Sequence, residues 1–201
     1  MIFDLSQKVF ASENYPTHPA ASHYKVKDMN AGDKYNLTCF SMCAHNGTHV
    51  DAPHHFIKDG KSIDQMPLES FMGWSYVVEH QGDITKEDAQ NLLNQAHNTK
   101  RLLIKGDAVV TLEAAEVFAD ADLILLGNES CSVGPVNAPM AVHLVLLNKE
   151  ITLLENIRLS HVPEGKYWLN AIPLALEGSD GSPCRAVLIT PDEFTEKSLH
   201  E

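Results

Sequence analysis

Four histidines, His45, His49, His54 and His55, fall in one short stretch that also carries Asp51, Gly47 and Pro53. Imidazole nitrogens and carboxylate oxygens are the donors that zinc, manganese and iron accept. Two imidazoles and a carboxylate make a partial ligand set. A third imidazole nearby serves as a further ligand or as a proton carrier, because its pKa lies near neutral pH. Any one of these histidines could simply lie on the surface of a loop. Four of them, interleaved with Asp51 and bounded by Gly47 and Pro53, point instead to a metal centre.

The spacing decides which backbone could gather these donors. In a helix His45 and His49 would share a face, but Asp51 would sit about 200° round from His49 at 3.6 residues per turn. Gly47 and Pro53 also disfavour a helix. In an extended segment, positions 45, 49, 51 and 55 have the same parity, so their side chains can converge on one side while His54 points away. Gly47 would supply the bend that lets His45 and His49 approach one centre.

The rest of the chain must hold that segment in place. Positions 1–44 read as turns and short strands, with 34–43 the longest extended candidate, and 74–79 suggests a strand. Thr85 is a candidate N-cap, followed by Ala89, Leu92, Leu93 and Ala96 on one helix face. Thr111 is placed to cap a second helix carrying Leu112, Ala115, Phe118 and Ala119. Pro139 opens a third, with Met140, His143, Leu144 and Leu147 on one face. Short apolar runs at 102–104, 123–126, 151–154, 169–176 and 186–189 read as strands. Helices alternating with apolar strands, after a strand-rich first third, predict an α/β (mixed α+β) fold, with residues 1–201 as a single domain.

The 201 residues carry 15 Lys and Arg against 27 Asp and Glu, a net charge of −12. That balance repels a phosphate backbone, so no nucleic-acid partner is expected. No apolar run approaches the roughly 18 to 20 residues of a membrane span, and the N-terminus lacks a signal-peptide pattern, so no membrane association is expected. Cys39, Cys43, Cys131 and Cys184 form no CxxC pair, which fits reduced thiols and a cytoplasmic location. Cys39 and Cys43 read as small core residues, and Trp74 and Trp168 as core or subunit contacts. Cys131 has no base singled out for it by the sequence.

Residues 45–55 match H-x-G-T-H-x-D-x-P-x-H at every fixed position. This pattern resembles the cyclase family of metal-dependent hydrolases, which includes bacterial kynurenine formamidases and isatin hydrolase. The similarity extends to Asp4-Leu5-Ser6 and to positions 60–64, 127–132, 143–156 and 172–186. The resemblance implies a swivelling β/β/α domain. It implies a divalent metal, Zn or Mn, one or two ions per subunit, held by His45, His49 and Asp51. His143 and Glu155 would complete a two-metal site, with Asp51 able to bridge. His55 is implied as the catalytic acid/base, and a small-molecule substrate and a homodimer or homotetramer are implied as partners. Two positions depart from the family pattern. Tyr15 to Pro19 replace a Pro-Gly-Asp turn beside a substrate-facing aromatic, which makes Tyr15 the substrate-binding candidate, and Glu129 stands where Asp is usual.

The expected chemistry is metal-assisted hydrolysis of a C–N bond in a formamide, amide or lactam, with arylformamidase activity on N-formylkynurenine as the leading candidate. A bound cation brings the pKa of water down to about 7, and His55 would carry the proton to the leaving nitrogen. Two rival readings use the same residues. A non-haem iron oxygenase would take His49, Asp51 and His143 as its triad, but such enzymes are usually all-β and would leave His45 and His55 unused. A zinc-stabilised binding module would need a closed, usually Cys-rich set, whereas no sulfur lies in the cluster.

Overall fold

The computed structural model describes residues 1–194. The capping residues do what their positions predict. The Thr85 hydroxyl accepts from the Asp88 amide and the Asp88 carboxylate accepts in return from Thr85 N–H, a capping box that starts α1 (Lys86–Gln95). Thr111 accepts from the Ala114 amide at the start of α2 (Leu112–Asp120), and Pro139 precedes α3 (Met140–Leu147).

Between these helices run β5 (Met72–Glu79), β7 (Arg101–Lys105), β9 (Leu125–Asn128) and β10 (Thr152–Glu155), paired in parallel in that order. Antiparallel strands extend the sheet on both sides. Beyond β5 lie β11 (Gly165–Asn170), β13 (Val187–Ile189) and β1 (Ile2–Asp4). Beyond β10 lie β4 (His49–Asp51) and β12 (Gly181–Pro183), completing a nine-stranded sheet. Two small pairs stand apart, β2 (Ser22–Lys27) with β3 (Leu37–Ser41), and β6 (Gly82–Ile84) with β8 (Ala108–Val110).

The central strands are buried on both faces. Ile104, Leu126 and Leu153 pack with Leu92, Phe118 and Leu146 of the three helices. Their neighbours Leu103, Leu125 and Leu154 pack on the other side with Val50, Leu169 and Leu188. Parallel strands covered on both faces need unbroken apolar runs rather than alternation, which is why 102–104 is legible as a strand. The fold is mixed α/β, as the pattern of helices and strands predicts. Among the described residues, no helix is long and apolar enough to cross a membrane.

Several local expectations are corrected. The apolar run 169–176 is not one strand. The β11 ladder ends at Asn170 and beyond it an isolated bridge joins Pro173 to Cys184, while Ile172, Leu174 and Leu176 are exposed around that proline, which has no N–H to give a ladder. Within 34–43 only Leu37–Ser41 is a strand, shorter than the eight-residue β5. It belongs to a hairpin standing apart from the large sheet, so Cys39 and Cys43 are half-buried and not core residues. The buried face of α3 carries Val142, His143, Leu146 and Leu147, while Met140 is exposed. Trp74 and Trp168 meet edge to face at 5.5 Å and are half-buried.

Candidate metal centre

The centre lies where β4 runs against the end of β10. His49 sits opposite Glu155 in the ladder and Asp51 opposite Leu153, so His49, Asp51 and Glu155 project from one face. His143 comes in from α3 beside them. All are buried: His45, His49, Asp51, His143 and Glu155 are 8% exposed or less. Two trios emerge, His45–His49–Asp51 and Asp51–His143–Glu155, each with donor atoms within 4.8 Å of one another. Asp51 belongs to both.

Each imidazole is held by one nitrogen so that the other faces a carboxylate. His49 Nδ1–H donates to the Gly47 carbonyl at 2.8 Å, which leaves Nε2 at 3.4 Å from Asp51 Oδ1 and 3.5 Å from Glu155 Oε2. His143 Nδ1–H donates to the Pro139 carbonyl at 2.9 Å, and its Nε2 stands 3.3 Å from Glu155 Oε1 and 3.7 Å from Asp51 Oδ2. His45 Nε2 bonds to Asp180 Oδ2 at 2.8 Å and its Nδ1 lies 2.8 Å from Asp51 Oδ1. Carbonyl and carboxylate oxygens only accept, so the anchored nitrogens carry the protons. For His49 and His143 the free Nε2 then presents a lone pair to carboxylate oxygens, and His45, with a carboxylate 2.8 Å from each nitrogen, can give a proton to only one of them while neutral; both arrangements call for a cation or a further proton. Asp51 Oδ2 is also buried with no hydrogen-bond partner among the described residues. Such an orphaned, charged oxygen among inward-facing imidazoles fits a divalent cation.

The backbone explains how this arrangement forms. Gly47 has φ +63°, a left-handed turn that aims its carbonyl at His49. Thr48 accepts from Gln7 N–H and donates to the Asn156 carbonyl, tying the entrance of β4 to the residue after Glu155. The Val133 amide donates to Glu155 Oε1 at 2.7 Å.

Electrostatics without a cation show the same demand for positive charge. Burial lowers the His45 imidazole, but Asp51 and Asp180 outweigh it and push it up to about 10. Burial likewise opposes His49, yet Asp51 and Glu155 raise it to about 9. Burial also opposes His143, and Glu155 and Asp51 raise it. Burial raises Asp51, but His45 and His49 hold it well below the usual carboxylate range. In chelator-treated protein these shifts become a stability profile. Raised histidines stabilise fully below their ordinary 6.5 and lose that contribution as pH climbs through about 9 to 10. The depressed Asp51 works the opposite way and loses its contribution as the solution turns acid. Melting of the chelated chain should therefore fall steadily from pH about 6.5 to about 10. A thermal profile flat across that span would contradict the assignment.

All the expected site residues gather here, though not all by the expected route. Parity holds only for His49 and Asp51, because β4 is three residues long. His45 enters from the preceding turn and His55 from the 3-10 turn Pro53–His55, while His54 is exposed. His55 stacks on His45 at 4.1 Å between ring centroids and lines a cavity of about 180 Å³ with Tyr15, His18, Phe56, Cys131, His143 and Glu155. Tyr15 donates its hydroxyl to the Val136 carbonyl, fixing the ring at the cavity wall. His18 lines the cavity, whereas His23 stacks on exposed Phe10 away from it. Burial raises the Cys131 thiol, which opposes a nucleophilic role. Glu129 faces elsewhere: it accepts from the Gly106 and Leu159 amides and staples two loops.

Sequence reasoning missed Asp180, which accepts from both His45 and His55. The glycine that follows it is part of the same construction. A Cβ on Gly181 would lie 2.7 Å from His45 Cε1 and 2.8 Å from the Val50 carbonyl. Gly181→Ala is expected to cost about 1–3 kcal/mol through this overlap, read by urea denaturation. Unchanged stability would show that β12 has room to spare.

Known proteins share both sequence and architecture with this chain. The family described as "Putative cyclase" matches residues 3–135. The kynurenine formamidase of Salinibacter ruber is 35% identical over 168 residues, 76% of this chain and 79% of its own. That of Paracidovorax citrulli is 30% identical over 213 residues, covering 95% and 97% of the two chains. Isatin hydrolase A from Labrenzia aggregata superposes with a TM-score of 0.81 at 21% identity over 94% of each chain, a likeness of fold. With the family match spanning most of the large sheet and relatives aligned along most of their length, the chain belongs to the cyclase family.

Proposed function

We propose that the protein is a metal-dependent hydrolase of C–N bonds, with an arylformamide such as N-formylkynurenine as its substrate. One observation carries this reading: four buried donor residues converge on Asp51, whose second carboxylate oxygen has no hydrogen-bond partner among the described residues. Relatives named kynurenine formamidase at 30% and 35% identity support the formamide. His45, His49 and Asp51 would hold one ion, and Asp51, His143 and Glu155 a second. The all-nitrogen and oxygen donor set suits zinc or manganese.

A divalent cation there supplies Lewis acidity and nucleophilic water at neutral pH. The protein's own groups do the rest. Tyr15, His18 and Phe56 wall the cavity and exclude solvent from one side of the substrate. His55, on the rim of the ligand cluster, takes the proton from water and returns it to the leaving nitrogen. An aniline leaving group makes that return less demanding than an alkyl amine would.

The mixed sheet, whose parallel strands are flanked by helices, supplies no all-β frame for the oxygenase alternative. We place the enzyme in the cytoplasm as a homodimer or homotetramer. Tyr24, Val26, Leu37 and Phe40, exposed on the β2–β3 hairpin, support self-association. The deciding experiment is metal content by elemental analysis, with hydrolysis of N-formylkynurenine and of a lactam assayed in parallel. One or two equivalents of metal with formamide turnover is the expected result. Metal with lactam turnover alone would move the substrate class, and absence of metal after reconstitution would overturn the hydrolase reading.

A further inference from the structure

The two candidate ion sites leave Asp180 without a role, although it is the only carboxylate bonded to His55 among the described residues. Its Oδ2 accepts from His55 Nδ1–H at 3.1 Å and from His45 Nε2–H at 2.8 Å. We propose that Asp180 is the positioning residue for His55: it holds the imidazole with its proton on Nδ1 and keeps Nε2 as the nitrogen that exchanges a proton with the substrate. This rests on the hydrolase reading, in which His55 moves that proton.

Three observations carry the proposal. First, a carboxylate only accepts, so a bond at Nδ1 selects one tautomer and leaves the Nε2 lone pair available. Second, Asp180 is placed by backbone before its side chain acts. Its carbonyl accepts from the Ala52 amide at 3.0 Å, Gly181 pairs with Asp51 in the β12–β4 ladder, and the neighbouring Ser179 carbonyl accepts from the Ile63 amide. The stretch that carries Asp51 to His55 is thereby bound to the stretch that carries Asp180. Third, His55 has few other constraints. Its ring is stacked on His45 and meets Phe56 edge-on at 4.5 Å. Neither ring contact chooses between the two nitrogens.

The competing role is that of a metal ligand, because His45, His55 and Asp180 also bring donor atoms within 4.8 Å of one another. Exposure argues against it. The Asp180 side chain is 43% exposed, whereas those of Asp51 and Glu155 are 1% and 4% exposed. The oxygen nearest both imidazoles is already shared by two N–H donors.

The test uses metal-loaded wild type, Asp180→Asn, Asp180→Ala, His55→Ala and the Asp180→Ala/His55→Ala double variant. The isosteric Asp180→Asn keeps the shape of the site should the alanine variant fold poorly. Metal per chain should equal that of wild type in both Asp180 variants. Turnover number on N-formylkynurenine should fall about 10–100-fold, with KM within about threefold, and the double variant should be no slower than His55→Ala alone. Proton–nitrogen-15 correlation spectra should show His55 protonated at Nδ1 in wild type and not in Asp180→Ala. Loss of metal on Asp180→Ala would show that Asp180 serves the ligand cluster, directly or through His45, and overturn the proposal. So would a further multiplicative loss in the His55→Ala background, since Asp180 would then act on something other than His55. If wild type holds metal yet cleaves neither formamide nor lactam, the hydrolase reading fails. The nitrogen spectra still decide the placement of His55 by Asp180, because an unchanged Nδ1–H tautomer in Asp180→Ala would refute it without any substrate.

Discussion

His49→Ala is expected to reduce bound metal to background and to take hydrolysis down by more than about 100-fold, the upper end of what losing a mere outer partner costs. The expectation follows from where the ring stands. His49 is 1% exposed, its Nδ1 is committed to the Gly47 carbonyl, and its Nε2 lies within 3.5 Å of both Asp51 and Glu155. Removing it takes a donor from between two buried carboxylates that no lysine or arginine among the described residues pairs with. The strand should persist, because β4 is held by backbone pairing to β10 on one side and β12 on the other. Far-ultraviolet circular dichroism therefore separates loss of the centre from loss of the fold. A folded variant that kept its metal and its turnover would remove His49 from the ligand set.

His55→Ala should show the contrasting pattern. Turnover is expected to fall by about 10² to 10⁴, the usual contribution of a positioned acid/base, with metal per chain unchanged. His55 lies outside both buried trios, 24% exposed at its side chain, and its bonded nitrogen is occupied by Asp180. Removing it leaves His45, His49, Asp51, His143 and Glu155 where they are. Elemental analysis beside steady-state kinetics distinguishes the two roles, and equal loss of metal and turnover would make His55 a ligand.

The sequence carries most of the centre because much of it is local. His45 to His55 fit within one turn, one short strand and one 3-10 turn, and the Gly47 and Pro53 punctuation is visible in the residues themselves. The parity argument succeeds at His49 and Asp51, where the chain is a strand, and is incidental at His45 and His55, which turns deliver. By periodicity alone His143 is one more residue on the apolar face of a helix, and it does share the buried face of α3 with Val142, Leu146 and Leu147. Its function depends on Glu155 and Asp51, which no helical periodicity reveals. Asp180 was invisible for the same reason in stronger form. It sits in an irregular stretch with no periodic signal, and only the long-range pairing of β12 with β4 brings it to the site. The apolar run 169–176 misled because hydrophobicity without pairing partners does not make a strand.

The distance along the chain between the groups that meet at this centre has a consequence for how the protein folds. His45 and Asp180 touch across 135 positions, and Thr48 and Asn156 across 108. Closing loops of that length is entropically costly before any contact rewards it. The donors are therefore expected to converge only after β9, β10 and β4 have found one another, late on the route to the native state. An ion that binds the finished cluster lowers the energy of the native state but not that of a transition state in which the cluster is still open. Its grip is thus expressed as resistance to coming apart, a brake on unfolding with little effect on the speed of assembly.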